Sequence, residues 1–113
     1  MSDCLFCKIG RKEIPAKFVY EDHEIFAFED IHPQAPTHIL IVPKKHIVRL
    51  NEASPADQSL IGHLLLTAAK IARDLKLDRG YRVVINSGSD GGETVPHLHI
   101  HLLAGRSLRW PPG

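Results

Sequence analysis

The sequence predicts a single α+β domain built on a mainly antiparallel sheet, and three observations predict it. Short runs rich in β-branched and aromatic residues follow one another at hairpin-like spacing. Only one stretch, residues 54–75, carries the three- and four-residue apolar spacing of a long helix. No internal repeat, low-complexity tract or linker divides residues 1–113, so they form one domain with the α+β order of elements.

Each element has its own signals. Residues 4–10, CLFCKIG, are apolar and end in glycine, which suits a short N-terminal helix closed at Gly10. Pro15 marks a turn. Residues 18–20 and 25–28 flank the polar Glu21-Asp22-His23-Glu24 and read as a hairpin. Residues 30–36 hold two prolines and form a rigid loop, because each proline fixes its own φ and restricts its predecessor. Residues 37–42 are a central strand, dense in β-branched side chains. The long helix starts with Ser54 as N-cap, Pro55 at the first helical position and Asp57 at the positive end of the dipole. Leu60, Ile61, Leu64, Leu65, Ala68, Ile71, Ala72 and Leu75 give it one apolar face, and Gly80 is the expected stop. His63 falls near that face and reads as a packing or helix-surface residue. Residues 81–86 form the next strand.

Composition excludes several classes of function. Fourteen basic residues against thirteen acidic ones leave no field to draw a polyanion, so a nucleic-acid groove is not expected. A single nucleotide needs only a local pocket. The longest strongly apolar run, residues 39–42, cannot span a bilayer. The N-terminus lacks the basic and apolar regions of an export signal, and the two cysteines stand three apart. A cytoplasmic protein with reduced thiols is expected.

The chemistry gathers near the C-terminus. In His97-Leu98-His99-Ile100-His101-Leu102-Leu103, three histidines alternate with apolar residues at period two. On a strand that spacing sends all three imidazoles to one face, about 6–7 Å apart, with Leu98, Ile100 and Leu102 on the other. One half-buried histidine needs no explanation, but three on one face need three sets of partners. The row suits either a three-histidine metal site or an imidazole that attacks a substrate. Residues 86–94, NSGSDGGET, lead directly into it. The Gly91-Gly92 turn lets backbone N–H groups approach an anion, and Asn86 and Thr94 add side-chain donors; a plain hairpin loop would look the same. Cys4-x-x-Cys7 reads as a redox pair, half a metal site or chance. No thioredoxin-like βαβ context accompanies it. Two thiolates and two imidazoles would complete a tetrahedral zinc site, with His46 and His97 as the histidines.

The row matches the HφHφHφφ signature, and the chain resembles the histidine-triad (HIT) superfamily. Residues 4–17, 30–47, 80–96 and the terminal Trp110-Pro111-Pro112-Gly113 are similar to its Hint branch in particular, so the resemblance covers nearly the whole chain. It implies a HIT-like fold: a five-stranded sheet with one long helix and a short N-terminal helix, the sheets of two copies joining in a homodimer. It also implies hydrolysis of purine nucleoside phosphoramidates, with a nucleoside monophosphate or phosphoramidate as ligand. His99 resembles the nucleophile, His101 the member that contacts the phosphate, and His97 and His38 the members that support the relay. Asn86, Gly92, Thr94 and Val95 match phosphate-contacting positions, with Thr94 near the leaving group where serine is more usual. Asp30 matches the ribose acceptor, and Leu5, Phe6, Ile9, Phe28 and Ile31 match the purine slot. Trp110 resembles a tail residue that reaches the partner's site. Relatives with the cysteine pair imply a structural zinc on Cys4, Cys7, His46 and His97.

A nucleophilic histidine must be neutral, with its other N–H held by an acceptor such as a backbone carbonyl. Nearby cationic imidazoles are expected to lower its pKa, and the Gly91-Gly92 amides to stabilise the pentavalent phosphorus. Three rival readings differ in reaction or class. They are hydrolysis of dinucleoside polyphosphates or nucleotidyl transfer, a non-enzymatic nucleotide-binding module, and a zinc hydrolase using all three strand histidines.

Overall fold

The computed structural model describes residues 4–113. Helix α1 is Leu5–Gly10, and the strands are β1 (Phe18–Glu21), β2 (Ile25–Glu29), β3 (Thr37–Pro43), β4 (Tyr81–Val84) and β5 (Ile100–Ala104). Helix α2, Gln58–Asp74, crosses between β3 and β4. The sheet order is β1-β2-β3-β5-β4, and every neighbouring pair is antiparallel. The five-stranded α+β sheet of the sequence reading is present.

Register sorts the side chains. Ala27 pairs with Ile41 and Ile41 with Ile100, and these three face α2. There they pack with Ile25, Ile39, Leu64, Ala68, Ile71, Leu98 and Leu102 in an aliphatic core. On the opposite face Phe28 pairs with Leu40 and Leu40 with His101. Phe26, Phe28, Leu40 and Val42 form a second, aromatic cluster there, closed by Phe6 and Ile9 of α1.

Several expected boundaries shift. Ser54 caps as predicted, but over a 3₁₀ turn, Pro55–Asp57, with Asp57 completing a capping box before α2 begins. Gly80 does not stop the helix. Lys76 does, at φ +58°, donating its N–H to Arg73 O while Leu77 N–H reaches Ala72 O. The paired i–3 and i–5 bonds of this left-handed cap can be made by a lysine at a modest steric cost. Leu65 and Leu75 are 43% and 48% exposed, so the buried face of α2 is narrower than its sequence pattern. α1 does end at Gly10 as expected, but the glycine serves close packing of α1 on the sheet, since a Cβ there would meet Phe26 Cε1 at 2.8 Å. β4 ends at Val84, not at residue 86, and β5 begins only at Ile100, leaving His97 and His99 ahead of the ladder. The alternation nonetheless persists through them, with Leu98 in the aliphatic core and His97 and His99 against Phe6.

His63 Nε2–H donates to Asp22 Oδ2 at 2.7 Å, and the same oxygen accepts from Tyr20 Oη–H. This ties the β1–β2 turn to α2 and agrees with a structural role. No helix among the described residues is long and apolar enough to cross a membrane.

Candidate active site

The imidazoles stand where the sheet face, α1 and the loop 86–95 converge. His99 and His101 lie with ring centroids 4.9 Å apart, and His101 and His38 with theirs 5.1 Å apart. In front of them opens a cavity of about 320 Å³, walled by Leu5, Phe6 and Ile9 of α1 and by Phe28 and Leu40 of the sheet. Asp30, Ile31, His32, Thr94, Val95, His99 and His101 complete its lining, with Asp30 and His101 on either side of His38 and their polar atoms within 4.8 Å of one another.

Hydrogen bonds assign the proton on each ring. His99 Nδ1 lies 2.7 Å from the His97 carbonyl, an acceptor only, so Nδ1 carries the hydrogen and the Nε2 lone pair is free to react. His38 Nδ1 accepts the Gln34 N–H at 3.0 Å, so its hydrogen is on Nε2, which donates to His101 Nδ1 at 2.9 Å. Asp30 Oδ2, 3.5 Å from the same Nε2, favours this arrangement. His101 must then carry its hydrogen on Nε2. That buried atom has no hydrogen-bond partner among the described residues, and its residue lines the cavity. A backbone amide thus sets, through two imidazoles, a donor that an anion can satisfy.

All these rings are held neutral. Burial lowers His99, opposed by its bond to the His97 carbonyl and by Glu93 and Asp30. Like-charge repulsion from neighbouring imidazoles, expected from the sequence, is not what lowers it; loss of solvent is. Burial first, then His99 and His38, bring His101 down to about 4. Burial lowers His38 as well, with Asp30 opposing.

His97 stands where the cysteine motif placed it, with Cys4, Cys7 and His46. Its Nε2–H donates to Pro43 O at 2.8 Å, and burial is the main cause that takes it down to about 4. Its Nδ1 faces Cys4 Sγ at 3.2 Å, Cys7 Sγ at 3.6 Å and His46 Nδ1 at 3.1 Å. Cys7 Sγ lies 3.3 Å from His46 Nδ1, and the four ligand atoms fall within 4.8 Å of one another. Tetrahedral zinc with ordinary Zn–N and Zn–S bonds needs ligand atoms about 3.3–3.8 Å apart. A carbonyl on the outer nitrogen of His97 is the usual support of a metal-binding histidine. The donor set fits zinc. The His97 ring is therefore turned from the cavity, and it is its carbonyl that serves His99.

The loop also departs from expectation. Gly91 N–H donates to Gly88 O and Gly92 N–H to Ser89 O, so both amides close the loop itself rather than await an anion. The side of Gly92 faces Asn86, whose Cγ would lie 3.9 Å from an added Cβ. Asn86, Gly92 and Trp110 do not line the cavity; Trp110 is 81% exposed, on a tail held by Arg82 through the Leu108 and Arg109 carbonyls.

A family model described as HIT domain matches residues 11–108. The chain belongs to the HIT family. An uncharacterised HIT-like protein of Synechococcus elongatus is 60% identical over 111 residues, covering 98% of this HIT chain and 97% of the relative. The crystal structure of a HIT family hydrolase from Legionella pneumophila superposes with a TM-score of 0.97 at 53% identity, covering 98% of this chain and all of that one. A histidine triad nucleotide-binding protein from Candida albicans gives 0.83 at 33% identity, covering 96% and 83%.

Sequence reasoning missed several contributors to this HIT site. Gln34 acts through its main chain, which no side-chain pattern reveals. Arg49 and Glu93 are 44 residues apart in the chain and join only on folding. Ile14, Pro15 and Ala16 line the cavity, yet in sequence only Pro15 stood out, as a turn.

Proposed function

We propose that this chain is a purine nucleoside phosphoramidate hydrolase of the Hint branch that works through a nucleotidyl-histidine. The observation that carries this reading is the pairing of a reactive His99 Nε2 lone pair with an unpartnered His101 Nε2–H beside one apolar cavity. The base enters between Phe6, Ile9, Phe28 and Ile31, and Asp30 accepts from the ribose hydroxyls. His99 Nε2 attacks the α-phosphorus as the phosphorus–nitrogen bond breaks, and the His97 carbonyl holds the Nδ1–H of the resulting cation. His101 Nε2–H binds a phosphoryl oxygen as its charge grows. The departing amine takes a proton from solvent, relayed through the Thr94 hydroxyl, which stays neutral. The water that cleaves the adduct releases a proton to solvent in turn. Zinc on Cys4, Cys7, His46 and His97 would supply no step, only a cross-link fixing α1 and the His97 carbonyl. Function as a homodimer, with Trp110 reaching the partner's site, belongs to the same reading, as does a cytoplasmic location.

The test is to trap the adduct. Adenosine 5′-phosphoramidate, quenched during turnover, should leave an AMP group on His99 by peptide mass spectrometry. His99→Ala should lower kcat about 10⁴-fold or more while keeping AMP affinity within about tenfold. An adduct on another residue, or turnover that survives His99→Ala, defeats the assignment.

A further inference from the structure

His99 is not placed by the sheet ladder, since β5 begins one residue after it. Residues 87–98 instead run along the segment 46–51. The His46 and His97 rings meet edge to face at 4.8 Å, and Leu98 N–H donates to Ile47 O at 2.6 Å. Ser87 Oγ–H donates to Asn51 Oδ1 at 3.0 Å. Between these contacts Arg49 grips Glu93 with two bonds, Nε to Oε1 at 2.8 Å and an outer nitrogen to Oε2 at 2.9 Å. Glu93 Oε1 also accepts Gly88 N–H at 2.8 Å, while Gly88 O accepts the Gly91 and Glu93 N–H groups. One carboxylate therefore joins both ends of the loop and fastens it to the neighbouring segment. The Glu93 side chain is only 10% exposed, and Thr94 and Val95, which follow it, enter the cavity wall. Neither Arg49 nor Glu93 lines the cavity itself.

We propose that Arg49 and Glu93 are positioning residues, which set Thr94 and the phosphate side of the site relative to His99. This inference rests on the hydrolase reading above. Arg49 is suited to the task because a planar guanidinium grips a carboxylate in one orientation, which a lysine ammonium does not. The base and ribose contacts come from α1, β2 and the turn after it, so the pair governs the reacting groups and not the affinity for nucleotide. A displacement near 1 Å at a reacting centre costs about 100-fold in rate.

The experiment compares Arg49→Ala, Arg49→Lys and Glu93→Gln with the unaltered full chain. Arg49→Ala and Glu93→Gln should lower kcat for adenosine 5′-phosphoramidate about 10–100-fold, with AMP affinity unchanged within about threefold. Arg49→Lys, which keeps the charge and loses the fork, should recover part of the rate. Amide hydrogen exchange should speed up across residues 87–95 in Arg49→Ala and stay as it was in α2. The inference is overturned by an unchanged kcat, by AMP affinity falling as far as kcat, by Arg49→Lys no better than alanine, or by unaltered exchange in the loop. Absence of phosphoramidate turnover in the unaltered chain defeats the hydrolase reading alone, because the exchange measurement still shows whether the pair holds the loop.

Discussion

The two faces of one short stretch, residues 97–102, make opposite use of the same backbone. Leu98, Ile100 and Leu102 enter the aliphatic core beneath α2, where Ile100 and Leu102 are wholly buried and make no polar demand. His97, His99 and His101 turn to the other face, where each buried nitrogen needs a partner. The aliphatic side is stabilised by non-directional burial and tolerates any close-packed filling. The imidazole side depends on directed bonds from Pro43, His97, Gln34 and His38, and a lost bond there changes which nitrogen carries a proton. The first face supplies stability, and the second spends some of it on a reactive lone pair.

This contrast can be broken at either face. The largest effect on stability is expected from the metal-type cluster. Zinc at 1,000 times its dissociation constant should stabilise the fold by about 4 kcal/mol over the chelated protein. Thermal unfolding with and without a chelator measures this, and Cys7→Ser should abolish the difference. Next, Leu64→Ala, in the centre of the α2 core and 1% exposed, should cost about 3 kcal/mol by urea unfolding. Its kcat below the unfolding transition should stay within about threefold of the parent, because the damage lies on the far side of the sheet.

The smallest effect sharpens the comparison through pH. His101 is held neutral down to about 4 in the folded chain, against 6.5 for an ordinary imidazole. Between those values the unfolded chain binds the proton and the folded chain does not, so stability rises with pH across this window and is lost on acidification. His101→Gln should remove about one proton from the uptake on unfolding near pH 5, read from the slope of urea stability against pH. No aliphatic-face substitution should alter that slope. Burial likewise places the acid limb of kcat/KM, set by His99, below the ordinary imidazole range.

Much of the architecture was legible because its signals are local. The strand runs, the Ser54 cap and the period-two row each reflect neighbours in sequence, and all three appear in the fold. The helix stop was misread because a lysine, not a glycine, adopts the left-handed cap. The start of β5 was misread because Leu98 bonds to Ile47, outside the ladder. The amides of Gly91 and Gly92 were misassigned because glycine content reports that a loop can turn, not where its N–H groups point.

The sequence by itself determined which residues share a face and that three imidazoles would stand together. Alternation along an extended chain settles that without any distant partner. Only the tertiary structure decided which nitrogen carries each proton: Nε2 in His97, toward Pro43 O, Nδ1 in His99, leaving its Nε2 free, and Nε2 in His101. The proton on an imidazole follows its hydrogen-bond partners, and those of His97 and His101 lie 54 and 63 residues away in the chain.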